Sequence, residues 1–439
     1  MTLQEGMMKI MHNFLTLYGY ELKKIFKRRI VLNTLVILTM VVLYVNIAGP
    51  LGTMHSWSDD EGNIITMNGF EWIADQKAKT EELNGQIIDD TLLDKVKEAY
   101  KGVYRAEYSV QTNDGSGYGY RQTFVELVDD EEDEESAAMK ADRQRSQDIY
   151  QPIYYYIQRV TGFYDNVHTV DADFLYQTRQ EYLLETEWAH LMMTDKEKEY
   201  WIEREDDIER PFTYNYAGSW NDMLDNFIYI NMVLVLAIVI CLSNVFSDEH
   251  LKRTDQQILC SKHGKGRFYF AKTAAGLTFG VICSVFMFLV FVVSDICVYG
   301  PEGSSVVVQL YRPLCSRGLT MGQAVFLLGG FCIILGIVYS ILAMFLSEAV
   351  KNAVAVMAIM TGGMLLTMLI QIPYQHRAIS QVYSLLPTRI LNVEQLWDGR
   401  LLTVLGLHLT NYQTAVILYI VTGALLIWRG NRIWQRIKN

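Results

Sequence analysis

Six apolar runs of about 20 residues constrain the fold of this chain more than any other feature of its sequence. Each run is long enough for an α-helix to cross the hydrocarbon core of a bilayer. The runs cover residues 30–47, 227–246, 273–298, 324–346, 353–372 and 412–428. The sequence therefore predicts an all-α polytopic membrane protein with six transmembrane helices.

The charged residues divide the chain into an acidic segment and a basic remainder. Residues 49–226 contain 39 acidic and 16 basic residues, a net charge of -23. The remainder carries 22 basic and 10 acidic residues, a net charge of +12. We interpret residues 49–226 as a large, mainly helical extracellular domain between the first and second transmembrane helices. This composition excludes a soluble enzyme, a disordered protein and a disulfide-rich secreted domain, and the acidic segment argues against nucleic-acid binding.

Helix-capping patterns recur in the acidic segment. Asp171 precedes an apolar-periodic run, and Thr194 with Glu197 three residues later forms a capping box. Short strands are predicted at 63–67 and 123–128. Residues 129–135 are all acidic, which is typical of a solvated loop; the alternative is a site that attracts calcium or a cationic peptide.

Basic residues predict which side of the membrane each segment occupies, because cytoplasmic loops carry an excess of Lys and Arg. Five of them stand directly before the first run: Lys23, Lys24, Lys27, Arg28 and Arg29. We therefore assign residues 1–29 to the cytoplasm, 30–48 to transmembrane helix 1 and 227–439 to helices 2–6. The loop 247–272 and the C-terminal tail are also basic, which agrees with a multi-pass protein of a bacterial cell membrane with both termini cytoplasmic. The alternative has five spans, with the sixth run lying flat on the membrane.

Residues 8–29 have the periodicity of an amphipathic helix. Its apolar residues recur at steps of three and four: Met11, Leu15, Tyr18, Leu22 and Ile25. Lys23, Lys24 and Lys27 fall off that face, so the pattern predicts a helix lying in the cytoplasmic interface. The alternative is a cytoplasmic extension of the first span.

Several kinds of functional site are missing from the sequence. The runs hold almost no ionisable residues of the kind that ion-coupled transporters place at mid-membrane, and Asp295 is the clearest exception. Neither a GxxxxGK(S/T) phosphate loop nor an HExxH motif occurs, so we predict no catalytic residue and no metal site. Cys297 and Cys315 are expected near the same outer face. They either form a disulfide or remain two free thiols, and the sequence does not decide between these alternatives.

The loop 247–272 carries four motifs in a distinctive order. They are Asp248-Glu249, Thr254-Asp255, the turn Ser261-Lys262-His263-Gly264, and Ala271-Lys272. In this order, together with the interfacial helix and the six runs, they resemble the membrane subunits of ABC transporters of the ABC-2 type. Thr254 departs from the pattern, because many relatives carry a glycine there. The resemblance covers the membrane body and not residues 49–226.

The resemblance implies a permease subunit that works with a cytoplasmic ABC ATPase. ATP and magnesium would bind to that partner, and this chain would hold no cofactor and be no enzyme. A second permease, either another copy or a paralogue, and membrane lipids are the other expected partners. The implied activity is export of an amphipathic peptide or lipid-like molecule, and the acidic domain favours a cationic one.

The resemblance also places the coupling contact with the ATPase. The candidates in the loop are Glu249, Lys252, Arg253, Thr254, Asp255, Gln256, Ser261, Lys262 and Gly264. The interfacial helix would contribute Leu15, Tyr18, Leu22, Lys23 and Lys24. Helices two and five, with Gly362 and Gly363, are expected to line the substrate path. The alternative function is a receptor or signalling module whose outer domain senses a ligand without transport.

Overall fold

Helices make up most of the chain in the computed structural model, which describes residues 3–58, 64–100, 137–160, 171–205, 207–260, 266–404 and 407–436. The predicted strand at 123–128 and the acidic run at 129–135 lie outside these residues. So do Ser261, Lys262 and Gly264. The all-α fold class predicted from the sequence is confirmed.

The chain enters the membrane body through two helices that meet at a basic turn. α1 (Leu3–Phe26) ends two residues before Arg28, and α2 (Arg29–Leu43) begins directly after Arg28. α2 continues through a π-helical turn at Tyr44–Ala48 into α3 (Gly49–Gly52). α1 and α2 are therefore separate helices, and α1 is not a straight extension of the first span.

The described part of the acidic segment consists of one hairpin and a set of helices. β1 (Met54–Ser58) pairs antiparallel with β2 (Ile64–Asn68), which lies at the predicted strand 63–67. The helices are α4 (Gly69–Thr80), α5 (Asp90–Ala99), α6 (Ala137–Val160), α7 (Ala172–Tyr182), α8 (Trp188–His190) and α9 (Asp195–Glu205). Asp171 caps α7 as predicted, since its carboxylate accepts from the N–H of Phe174.

The remaining elements follow residue 217. The helices are α10 (Gly218–Leu242), α11 (Ser247–Leu251), α12 (Thr254–Cys260), α13 (Gly266–Tyr299), α14 (Val308–Tyr311), α15 (Met321–Val350), α16 (Ala353–Leu369), α17 (Arg377–Ser384) and α18 (Asn411–Arg436). β3 (Leu402–Val404) and β4 (Leu407–Leu409) form a small antiparallel hairpin.

Five helical segments in the described part of the chain are long and apolar enough to cross a membrane. They are Arg29–Gly52, Gly218–Leu251, Gly266–Tyr299, Met321–Val350 and Asn411–Arg436. The fifth predicted span, α16, is also apolar but has only 17 residues. A polytopic membrane protein is confirmed, and the count of six spans stays a prediction.

Small residues let α13 and α15 approach closely in the centre of the body. A Cβ atom on Gly336 of α15 would collide with Ser284 and lie 2.8 Å from the carbonyl oxygen of Gly280 on α13. Close backbone approach of this kind strengthens van der Waals contact between helices that share a lipid environment. The α13–α15 pair therefore forms the rigid centre against which the other helices pack.

The two ends of the body differ in charge and in what they contact. We call one end the basic end; it contains the turn at 27–28, α11, α12 and the C-terminal part of α18. The ring of Trp434 in α18 lies 5.8 Å from those of Phe246 and Phe268, which joins these elements. We call the opposite end, where the acidic segment lies, the acidic end.

A buried arginine of the acidic segment, paired with an acid of the same segment, attaches that segment to a loop of the membrane body. The side chains of Arg179 in α7 and Glu205 in α9 are each 2% exposed and lie 2.5 Å apart. Arg179 also donates to the carbonyl oxygens of Pro313 and Cys315, each at 2.7 Å. A second core lies beside this pair and is formed by Leu183, Trp188, Leu191, Met193, Trp201, Leu314 and Leu401. The acidic segment therefore shares a core with two loops at the acidic end of the body.

Glu197 makes a second attachment at the acidic end. Its carboxylate accepts from the Thr194 N–H, as the capping box predicts, and also from Arg377 at 2.6 Å and from the Leu401 N–H at 2.6 Å. Burial alone would raise the pKa of Glu197, but these hydrogen bonds outweigh it and hold the pKa below its usual value. The carboxylate is therefore held in its charged form between α9, the start of α17 and the loop that contains Leu401.

Candidate functional site

Two short helices, α11 and α12, form the loop between α10 and α13 at the basic end. The N–H groups of Phe246 and Ser247 both donate to the hydroxyl of Ser347 at 3.1 Å, which fixes the start of α11 to the end of α15. Arg253 lies between the two helices with a φ of 54°, in the left-handed region that most side chains avoid. The chain therefore reverses direction directly before Thr254, the residue at which the resemblance departs from a glycine.

A group of four charged residues, the ionic cluster, joins α1, α11 and α13 beneath this loop. Glu21, Glu249 and Lys272 are buried, and Lys24 is half-buried. Lys272 of α13 is 1% exposed and forms an ion pair with Glu249 of α11. The Nζ atom of Lys24 in α1 lies 3.1 Å from the Glu249 carboxylate, and the Nζ atom of Lys272 lies 3.9 Å from that of Glu21. Two carboxylates and two ammonium groups thus balance one another. Removing one partner of a buried pair costs about 3–5 kcal/mol, so these contacts hold the three helices in one arrangement.

Two further contacts hold α1 and the following turn against the body. Tyr18 donates a hydrogen bond of 2.9 Å to the hydroxyl of Thr278 on α13. Arg28 donates to the side-chain oxygen of Asn244 and lies 3.7 Å from the carboxylate of Asp248. α1 is therefore tied to α13 at Tyr18 and Glu21, and the turn that follows α1 is tied to the start of the α11–α12 loop.

His250 connects α12 to α15 through its two ring nitrogens. Nδ1 lies 3.0 Å from the carboxylate of Asp255, and Nε2 lies 3.0 Å from that of Glu348. A neutral imidazole donates from only one nitrogen, so both contacts are hydrogen bonds when the ring or one of the carboxyl groups holds an additional proton. The ring also lies 6.1 Å from that of Trp434. α12 is thus fixed to α15 and α18 through one side chain.

The surface of the α11–α12 loop that faces away from the body is exposed. Leu251, at the end of α11, is 82% exposed, and Gln256 on α12 is exposed as well. An exposed apolar side chain among charged ones is the kind of residue that anchors a partner protein in a pocket. The loop therefore combines a rigid base with a surface suited to docking.

The structure exposes some of the predicted coupling residues and buries others. Lys252, Arg253 and Gln256 are exposed, Thr254 is half-buried, and Glu249 and Asp255 are buried. In α1, Leu15 and Lys23 are exposed, whereas Tyr18, Leu22 and Lys24 are half-buried. The exposed residues are thus candidates for direct contact, and the buried ones hold the loop in place.

Sequence reasoning does not identify three residues of this site: Glu21, Leu251 and Glu348. Glu21 lies on the apolar stripe of α1, and an acidic residue on such a stripe signals a buried ion pair. Leu251 is an apolar residue within a charged loop, and Glu348 is an acid near the end of an apolar run. Each interrupts a local pattern, and that interruption is the available signal.

The cysteines and the acidic groups add no further site. Cys297 is exposed, Cys315 is buried, and both are free thiols, so the structure does not join them in a disulfide. Cys315 instead directs its sulfur to the carbonyl oxygen of Leu396 at 3.5 Å. Within the residues that the structure describes, no group of three or more His, Cys, Asp or Glu side chains is placed to hold a metal ion.

The comparison with protein-family models decides the family. The model described as ABC-2 family transporter protein matches residues 34–391, most of the chain. The chain belongs to the ABC-2 transporter family. The resemblance read from the loop 247–272 is thus confirmed. Neither the curated proteins nor the solved structures gave a match.

Membership of the ABC-2 family gives the site its context. Permeases of this family are membrane subunits that are not themselves enzymes and that normally work with a cytoplasmic ATPase subunit. The matched residues include α10 to α16 and hence both the α11–α12 loop and Lys272. This ABC-2 chain is therefore an ABC-type permease with a rigidly mounted, partly exposed loop at its basic end.

Proposed function

We propose that this chain is the permease subunit of an ATP-driven exporter, and that its ATPase partner docks on the exposed surface of α11 and α12 from the cytoplasm. The observation that carries the proposal is the combination of an exposed Leu251 and Gln256 with the ionic cluster directly behind them. A docking surface on a rigid base transmits movement, whereas a flexible loop absorbs it.

The proposed transmission runs from the loop into three helices of the body. A partner that closes on ATP pushes on α12, and His250 passes the displacement to α15 through Glu348. The ion pair between Glu249 and Lys272 passes it to α13, and the contact with Lys24 carries α1 along. The body thus changes between its inward-open and outward-open states as a set of linked helices.

A second permease, either another copy or a paralogue, completes the substrate path in this proposal. Of the residues in α16, only Val356 and Met364 are buried within the described chain. A Cβ atom on Gly362 or Gly363 would meet no atom within 4 Å, so this part of α16 is open to a neighbouring helix. The net charge of -23 on residues 49–226 would concentrate cationic, amphipathic molecules at the acidic end.

The test is to purify the full-length chain from its host in mild detergent and to quantify any co-purifying ATPase with a phosphate-loop sequence. The variant Leu251→Asp should reduce the co-purified ATPase by about 30-fold, the effect of losing an interface residue worth about 2 kcal/mol. Gln435→Asp is the matched control, because it adds the same charge to an exposed position at the basic end. Equal recovery of the ATPase with both variants would refute docking at Leu251.

The alternative function is a receptor or signalling module, and the same purification separates the two. The buried Arg179 joins the acidic segment to the body through the carbonyl oxygens of Pro313 and Cys315, so a ligand bound outside has a physical route to the membrane helices. A stoichiometric partner without ATPase activity would support the receptor and overturn the exporter.

A further inference from the structure

An apolar groove opens on the surface of the body where α2 and the end of α1 face α13. Its volume is about 480 Å³, within the range of about 300–1,000 Å³ that is usual for small-molecule sites. Six of its lining side chains are exposed: Phe26, Leu32, Val36, Met40, Ile282 and Phe286. The groove is open at the surface and therefore accessible from the surrounding lipid.

The groove ends at two exposed cations at the basic end. Leu32, Val36 and Met40 follow one another at steps of four on one face of α2, and Arg29 precedes Leu32 by one turn on the same face. Lys27 directly follows the last residue of α1. Lys27 and Arg29 are exposed and form no ion pair with any residue that the structure describes. The apolar groove thus ends at two positive charges that no described acidic residue neutralises.

The first turn of α2 adds to this positive potential. Its N-cap residue, Arg28, makes no capping hydrogen bond through its side chain, and no acidic residue lies in the first turn. The free N–H groups at a helix start carry a partial positive charge and favour an anion. Arg28 itself is engaged by Asp248, so Arg29 and Lys27 are the side chains available to an external anion.

We propose that this groove binds a phospholipid with an anionic headgroup from the leaflet at the basic end. One acyl chain fills the groove, and the phosphate lies against Lys27, Arg29 and the start of α2. A second copy of the chain fits poorly, because a symmetric partner in the same membrane presents its own cations at the same depth. The lipid stabilises the packing of α1 on α13, where the ring centroids of Phe26 and Phe279 lie 5.4 Å apart. This inference does not depend on the proposed function.

The experiment measures lipid binding to the full-length chain by native mass spectrometry in detergent. Phosphatidylglycerol and phosphatidylcholine with identical acyl chains are titrated separately. Each basic residue near an anionic headgroup strengthens binding by roughly fivefold, so the wild type should prefer phosphatidylglycerol by about 30-fold. The double variant Lys27→Gln/Arg29→Gln should lose this preference and keep its affinity for phosphatidylcholine. Val36→Trp, which fills the groove, should weaken binding of both lipids.

Two matched controls separate a specific groove from a generally basic surface. Arg432→Gln/Arg436→Gln removes two exposed cations from α18 at the same end, and Ile417→Trp enlarges an exposed apolar residue of α18. Both should bind phosphatidylglycerol like the wild type. Equal affinity of the wild type for the two lipids, or an equal loss in the α18 charge variant, would overturn the proposal. So would a Val36→Trp chain that binds both lipids normally but no longer forms dimers, because a second copy would then occupy the groove.

Discussion

At the residue scale, the carboxylate of Glu197 accepts hydrogen bonds from three separate parts of the chain. The spacing of Thr194 and Glu197 predicts the capping box, and the structure confirms the contact with the Thr194 N–H. The other partners, Arg377 and Leu401, lie 180 and 204 residues away in sequence. Helical spacing fixes local contacts, but only the packing of distant loops brings Arg377 to this carboxylate.

The lowered pKa of Glu197 makes stability at the acidic end depend on pH. Its contribution should be complete above the unfolded pKa of about 4.3 and should be lost as pH falls through the lower folded pKa. Glu197→Gln should therefore destabilise the chain by about 2 kcal/mol at pH 7 and much less at pH 3. Thermal unfolding followed by tryptophan fluorescence at pH 7, 5, 4 and 3 measures this difference.

The exposed neighbour Glu199 provides the control on the same helix. Glu199→Gln should leave the unfolding temperature close to that of the wild type at every pH. A stability difference for Glu197→Gln that is the same at pH 7 and pH 3 would contradict a charge-dependent contact.

A double-mutant cycle tests the ionic cluster. Lys272→Met leaves the buried carboxylates of Glu21 and Glu249 with Lys24 as the one remaining cation of the cluster, and should destabilise the chain by about 3–5 kcal/mol. Adding Glu249→Gln should recover part of that loss, because it removes one of the excess charges. Thermal unfolding of the two single variants and the double variant in detergent gives the coupling. Strictly additive effects would show that Lys272 and Glu249 do not interact.

At the element scale, the positions of the helices follow from the sequence and their contacts do not. Apolar runs of about 20 residues predict α2, α10, α13, α15 and α18, because only helices satisfy their backbone in lipid. The apolar stripe of α1 predicts its amphipathic character but not the burial of Glu21 within that stripe. The order of motifs in 247–272 places the coupling candidates, and tertiary contacts decide which of them are exposed.

His250 should hold α12 in place as an element. His250→Phe keeps a ring beside Trp434 but removes both hydrogen bonds, to Asp255 and to Glu348. Amide hydrogen exchange in residues 254–260 should then become faster, with little change in the centre of α15. His376→Phe, at an exposed histidine outside this loop, serves as the control for loss of a histidine. Unchanged exchange in residues 254–260 would show that other contacts fix α12.

At the scale of the whole molecule, the charge division in the sequence corresponds to the two ends of the structure. The sequence predicts a separate outer domain, yet Trp188 and Trp201 share a core with Leu314 and Leu401 from the membrane body. A local sequence pattern does not predict this shared core, because Leu314 and Leu401 resemble ordinary loop residues in the sequence. How far residues 49–226 fold alone thus depends on two loops that lie more than 80 residues downstream.

Expression of residues 52–224 alone tests this dependence. The part around α5 and α6 should keep its hydrogen-exchange protection, because α5 packs against α6 and the ring of Tyr156 contacts that of Phe212 in the same segment. Residues 171–205 should lose protection relative to the full-length chain, since their core lacks Leu314, Leu401 and the carbonyl partners of Arg179. Equal protection of 171–205 in both proteins would show that the domain is autonomous.

The ionic cluster also bears on how the membrane body responds to voltage. A charge carried across the full membrane potential requires work of about 2.3 kcal/mol per 100 mV. Glu21, Lys24, Glu249 and Lys272 together have no net charge, so α1, α11 and α13 can shift as a unit without electrical work. Movement at this junction is then electroneutral, and its rate should be the same in energised and in depolarised membranes.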